Sequence, residues 1–180
     1  MDAPSHRPLA VQDHFTLLGL PRRFSLDLST LESAWKRVAL AVHPDRFATR
    51  SAAEKRVAMQ WSSQANEAYR VLKEPLSRAR YLCELAGVDL QTETNTAMSP
   101  GFLLRQMSWH EEIDSLTEMA NAHDRQRAQI NLENELAEAE REISTSVNEC
   151  LELERYDLAA SRVREWMFLN KLIAQLRAIN

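Results

Sequence analysis

Apolar residues in this chain recur three or four positions apart, and no stretch sustains a two-residue alternation. Leu31, Trp35, Val38 and Val42 make one such stripe, and Leu132, Leu136, Ala139, Ile143, Val147 and Leu151 make a longer one. That period belongs to helices with one buried face, and only 3 glycines interrupt the 180 residues, so the spacing predicts an all-α fold. A hydrophobic content of 44% supports a packed core, in one domain or two small ones. A net charge of −4 argues against broad nucleic-acid binding, which needs a basic patch to neutralise phosphates. No apolar run approaches membrane-spanning length, and the first eight residues, with Asp2 among them, carry no apolar signal core. We therefore expect a cytoplasmic protein with no membrane partner. The only cysteines, Cys83 and Cys150, form no C-x-x-C pair and cannot assemble a zinc ribbon or a cluster ligand set, so no metal or cofactor is expected.

In chain order, residues 1–11 hold prolines and little pattern and read as a mobile terminus. A short helix from Asp13 to Leu18 should end at Gly19 and Pro21. Ser29 or Thr30 can cap the next helix, Leu31 to Val42. Pro44 biases His43 away from helical backbone and should stop it there. A long helix from Ser51 to Leu72 follows, with Ala53, Val57, Ala65, Ala68 and Leu72 available for one face, and Glu74-Pro75 breaks it. These two helices make an antiparallel pair with a charged tip. A further helix, Leu76 to Leu85, stops before Gly87. Residues 87–99 read as a linker, with a polar run from Gln91 to Thr96. Ser99-Pro100 then looks like an N-cap with proline at the first helical position. Helices to about Asn121, from about Asp124, and from Tyr156 to Ala178 predict a three-helix bundle over residues 100–180.

On a helical wheel the first bundle helix puts Phe102, Trp109, Ile113, Leu116 and Ala120 on one core arc. Leu103, Leu104 and Met107 fall on the far side, which Glu111, Asp114 and Glu118 extend. In the last helix Ala159, Val163, Trp166, Leu169 and Ile173 share the core arc, while Phe168 points away. Periodicity leaves three readings open: ordinary exposed apolar residues, a cover for the linker and the N-terminal domain, or a surface kept for a partner. At the tip, His43 beside Asp45 gives too few ligands for a stable metal site, and no Ser or Cys nucleophile stands with a placed base. The residues alone favour a helix-breaking turn and no enzymatic activity.

Longer motifs surround that turn. Phe15-Thr16-Leu17-Leu18-Gly19-Leu20-Pro21 precedes His43-Pro44-Asp45-Arg46-Phe47, and Asn66-Glu67-Ala68-Tyr69-Arg70-Val71-Leu72 and Pro75-Leu76-Ser77-Arg78-Ala79-Arg80-Tyr81-Leu82 follow it. Together they resemble the J-domain of Hsp70 co-chaperones. Phe102-Leu103-Leu104-Arg105-Gln106-Met107 and Phe168-Leu169-Asn170-Lys171-Leu172 narrow the resemblance to the HscB (Jac-type) co-chaperones of iron–sulfur cluster assembly. It covers residues 12–180, without the N-terminal four-cysteine zinc module that some members carry.

The resemblance implies a J-domain over residues 12–86, a helical hairpin with short flanking helices, and a bundle over 100–180 that binds a scaffold protein. His43, Pro44 and Asp45 would contact an HscA-type Hsp70. Asp45 would pair with an arginine of the partner, Pro44 would hold the tip shape, and His43 would orient the loop. Lys36, Arg37 and Arg46 would add a basic face. Val42 stands where a tyrosine commonly precedes the histidine, and Leu40 and Ala41 where basic or polar residues are common. Leu103, Leu104, Met107, Glu111 and Phe168 would bind an IscU-type scaffold, with Ser108 and Ser115 where relatives can carry acids. The chain would act as a monomer and perform no chemistry itself. The alternative is a J-domain protein with another client, its tail a dimerisation or general interaction bundle.

Overall fold

The structure is a computed structural model that describes residues 12–47, 49–90 and 98–179. The expected mobile terminus, residues 1–11, and the polar linker run, residues 91–97, lie outside the described residues. Among the described residues there are seven α-helices, one 3-10 turn and no strand. The chain divides into two compact units, residues 1–78 and 79–180.

In the first unit α1 (His14–Leu18), α2 (Leu28–Ala41) and α3 (Ala52–Lys73) pack on one another, and a 3-10 turn (Pro44–Phe47) lies against α3. α1 survives at five residues because both ends are tied. The Asp13 carboxylate accepts from the backbone N–H of Phe15 and Thr16, and also from the Thr16 hydroxyl and, at 2.6 Å, from Arg22 Nη2. Gly19 closes the helix in the left-handed region at φ 69°, where a side chain would be strained. Phe15 and Leu18 are buried beside Leu31, Ala34, Ala65, Ala68 and Leu72 in this unit's core.

α2 starts one turn earlier than the sequence predicts. Asp27, not Ser29 or Thr30, is the cap, accepting from the Thr30 N–H and from both hydroxyls. On α3, Ala53 and Val57 are exposed, and Ala58 is buried in line with Ala65, Ala68 and Leu72. One helical residue turns the chain by about 100°, enough to take Val57 off the face that Ala58 occupies. Trp35 fastens the pair by donating its Nε1–H to Asn66 Oδ1 at 2.9 Å and stacking on Tyr69. Arg78 is buried; its Nη1 donates to the Leu72 carbonyl at 2.6 Å near the end of α3, and its guanidinium lies over the Phe24 ring. α4 (Pro75–Leu85) contains Arg78 and continues into the second unit.

The second unit holds the bundle of α5 (Pro100–Glu118), α6 (Ala122–Glu152) and α7 (Tyr156–Arg177). Short connections reverse the chain between neighbours, so α5 and α7 both run antiparallel to α6 and parallel to each other. Two tryptophans peg the flanking helices to α6: Trp109 Nε1 donates to Glu135 at 2.8 Å and Trp166 Nε1 to Glu140 at 3.0 Å. Buried Ile113, Leu116, Leu132, Leu136, Val147, Val163, Leu169 and Leu172 fill the space between. Ala120, expected on the core arc, is exposed, because α5 ends at Glu118 and the chain has left the helical wheel. The α6–α7 turn holds Glu154 at φ 55°, a left-handed position occupied by a residue other than glycine.

Candidate functional site

The charged turn is built by two helix ends. Val42 is the C-cap of α2, and Ser51 opens α3 with a capping box, its hydroxyl meeting the Glu54 N–H while the Glu54 carboxylate accepts from the Ser51 N–H. Between these caps the chain is a 3-10 turn that begins at Pro44, more ordered than the loop predicted. Asp45 is almost wholly exposed, with 90% of its side chain accessible, and His43 is exposed too. The Asp45 N–H donates to His43 Nδ1 at 3.3 Å. The same nitrogen lies 3.6 Å from the Asp45 carboxylate. His43 thus braces the turn and leaves both Asp45 carboxylate oxygens open to an incoming guanidinium.

The three expected cations have local partners. Lys36 pairs with Glu32 at 2.7 Å one turn back on α2. Arg37 Nη2 donates to the Leu18 carbonyl at the end of α1, and Arg46 Nη1 to the Leu40 carbonyl in the last turn of α2, both at 3.3 Å. Arg37 and Arg46 therefore hold the first unit together as well as charging its surface. Leu40 itself is 66% exposed.

In the bundle, Leu103, Leu104 and Met107 are exposed by 43%, 70% and 61%, whereas Phe102 and Trp109 on the same helix are buried. Glu111 is exposed one turn further along. Phe168 is half-buried, with Lys171 Nζ over its ring at 5.1 Å. Arg105 lies over Trp109 and pairs with Glu142 of α6 at 3.0 Å, which fixes the roll of α5 and keeps Leu104 outward. Buried Glu165 on α7 accepts from the Ser99 backbone N–H and hydroxyl at the start of α5. One helical turn beyond that contact stand Leu103 on α5 and Phe168 on α7, so on parallel helices the two lie at one level. Glu165 was not singled out in the sequence, where a glutamate beside Trp166 reads as a solvated charge; its place seven residues before Leu172, on the same helix face, is the signal that it points inward.

Residues 13–81 match the DnaJ domain family model, and residues 98–177 match the model described as the HSCB C-terminal oligomerisation domain. The co-chaperone protein HscB homolog of Bordetella petrii is 54% identical over 172 residues, covering 94% of this chain and 97% of the relative. Among solved structures, chaperone HscB from Vibrio cholerae superposes with a TM-score of 0.79 at 32% identity, covering 93% of this chain and 97% of that one. Human co-chaperone protein HscB superposes at 0.84, covering 99% of this chain and 93% of that one; at 23% identity it speaks for the fold alone. A turn with exposed His43 and Asp45 on a DnaJ domain, joined in one chain to this bundle, makes the protein a J-domain co-chaperone of the HscB family.

Proposed function

We propose that the chain stimulates the ATPase of an HscA-type Hsp70 and delivers an IscU-type iron–sulfur scaffold protein to it, aiding cluster transfer, and that it works in the cytoplasm as a monomer without cofactor or chemistry of its own. The observation that carries this is the pairing of two unlike exposed features on one chain. Asp45 offers a carboxylate held ready by His43, and Leu103, Leu104, Met107 and Phe168 offer apolar surface beside the acid of Glu111. The carboxylate favours the Hsp70 conformation that hydrolyses ATP, a population shift with no bond made or broken on this protein. The apolar face holds the scaffold, and carrying both partners on one chain raises the scaffold's effective concentration at the chaperone. No described helix is long and apolar enough to cross a membrane.

The test is steady-state ATPase of the cognate Hsp70 together with calorimetric binding of the scaffold. Asp45→Ala and His43→Gln should remove the stimulation and leave scaffold binding intact. Leu104→Ala with Phe168→Ala should weaken scaffold binding by at least about tenfold, from the loss of roughly 1.5–3 kcal/mol of apolar burial per side chain. Full stimulation by Asp45→Ala, or unchanged scaffold affinity in the double variant, contradicts the corresponding half.

The description of the matched family model as an oligomerisation domain favours one other reading, in which the same face joins two copies of this chain. Light scattering of the purified protein decides between them. A monomer that forms a one-to-one complex with scaffold supports the proposal, and a dimer that scaffold does not dissociate supports the alternative.

A further inference from the structure

The bundle core contains one fully buried carboxylate among the described residues. Glu165 is 1% exposed, and both of its oxygens are used. Oε1 accepts from the Ser99 N–H at 3.1 Å and from the Ser99 hydroxyl at 2.8 Å; Oε2 accepts from Arg162 Nη1 at 2.7 Å. The Ser99 hydroxyl in turn accepts from the Phe102 N–H at 3.3 Å and so caps α5. A network in which every member is satisfied is tolerated inside a core, but for stability alone a well-packed apolar residue would serve as well or better. Hydrogen bonds do something apolar packing does less well: they fix one register, because sliding α5 along α7 would strand a buried charge. The residues this register governs begin immediately. Phe102 is buried, Leu103 and Leu104 are exposed, and Phe168 lies one turn beyond Glu165 on the other helix.

We propose that Glu165 is a positioning residue for scaffold recognition: through Ser99 it holds the first turn of α5 so that Leu103 and Leu104 present one continuous apolar face with Phe168. This rests on the reading that the face binds the scaffold, and it adds that affinity depends on a polar latch touching no part of the partner. Cut the latch, and the first turn of α5 frays from α7, so the face must be re-formed on binding. Gln at this position keeps an oxygen for Ser99 and puts an amide N–H2, a donor, where Oε2 accepted from Arg162, whose side chain is 44% exposed and can turn to solvent.

The experiment is calorimetric titration of the full-length protein with apo scaffold of the IscU type, using Glu165→Ala, Glu165→Gln, Ser99→Ala, Leu103→Ala/Leu104→Ala, and the combination of Glu165→Ala with that leucine pair. Glu165→Ala should weaken binding about tenfold, Ser99→Ala about threefold, and Glu165→Gln by less than about threefold. In the leucine-truncated background Glu165→Ala should cost less than about twofold more, because a latch has nothing left to position. Far-UV helicity is measured alongside. Should Glu165→Ala lose helicity beyond the first turn of α5, then Glu165→Gln and Ser99→Ala decide. Wild-type affinity in Glu165→Ala, with a clear loss in the leucine variant, overturns this inference alone. So does a full, additive Glu165→Ala loss in the truncated background, or a Gln variant as weak as Ala, either of which marks a merely structural role. Wild-type affinity in the leucine variant overturns the underlying reading and this inference with it.

Discussion

Single residues at the ends of helices account for much of what this chain specifies. Burial pushes the Asp13 carboxyl up, but hydrogen bonds from Thr16 and Arg22 outweigh it and hold the group at about 2. A carboxylate depressed in the folded state stabilises fully above its ordinary value, near 3.8, and that contribution disappears as pH falls through about 2. Thermal midpoints measured from about pH 5 to pH 2 should therefore fall less steeply for Asp13→Asn than for the wild type, because Asn still caps α1 but does not titrate. Equal slopes would contradict this role for Asp13. Glu154 offers the opposite case, a side chain where the backbone favours none. Glu154→Gly should raise stability by about 0.5–1 kcal/mol in chemical denaturation, since glycine removes the strain of the left-handed turn. A midpoint that falls instead would mean that the Glu154 side chain itself stabilises the turn.

At the scale of elements, what was legible in the sequence was whatever repeats with helical period, and what was missed depends on partners far away in the chain. The outward placement of Leu103, Leu104 and Met107 follows from their angle on α5, since no helix can turn them toward a core that Phe102 and Trp109 already face. The start of α2 was misplaced because Ser29 and Thr30 also have capping chemistry, whereas in the structure both donate to Asp27, which stands three residues before the Thr30 N–H that it caps. Nothing local marks Glu165, Glu135 or Glu140 as partners of Ser99, Trp109 and Trp166, because those bonds cross between helices. Likewise, Arg37 and Arg46 read as free surface cations, and the structure turns them back onto helix-end carbonyls. With Lys36 paired to Glu32 and an exposed Leu40 in the last turn of α2, this hairpin offers Hsp70 a modest field. Raising salt from about 50 to about 200 mM should weaken the Hsp70 contact by less than about threefold, measured as the concentration giving half-maximal ATPase stimulation. A loss of a hundredfold would show that the basic face dominates after all.

For the whole molecule, the two exposed features fall in different compact units, Asp45 in residues 1–78 and the apolar face in residues 79–180. Each activity should therefore fail alone when its own unit is altered. Family membership was legible because the motifs around His43-Pro44-Asp45 and around Leu103 and Phe168 occur together in one chain; either set alone would have left the function open. The deciding measurement is Hsp70 ATPase as scaffold is titrated at a fixed concentration of full-length protein. The wild type should show scaffold-dependent stimulation. Leu104→Ala/Phe168→Ala should keep the scaffold-free rate and need at least about tenfold more scaffold to rise above it, and Asp45→Ala should stay at the unstimulated rate throughout. A scaffold response that is the same in the wild type and in Leu104→Ala/Phe168→Ala would show that the bundle does not deliver the scaffold to the chaperone.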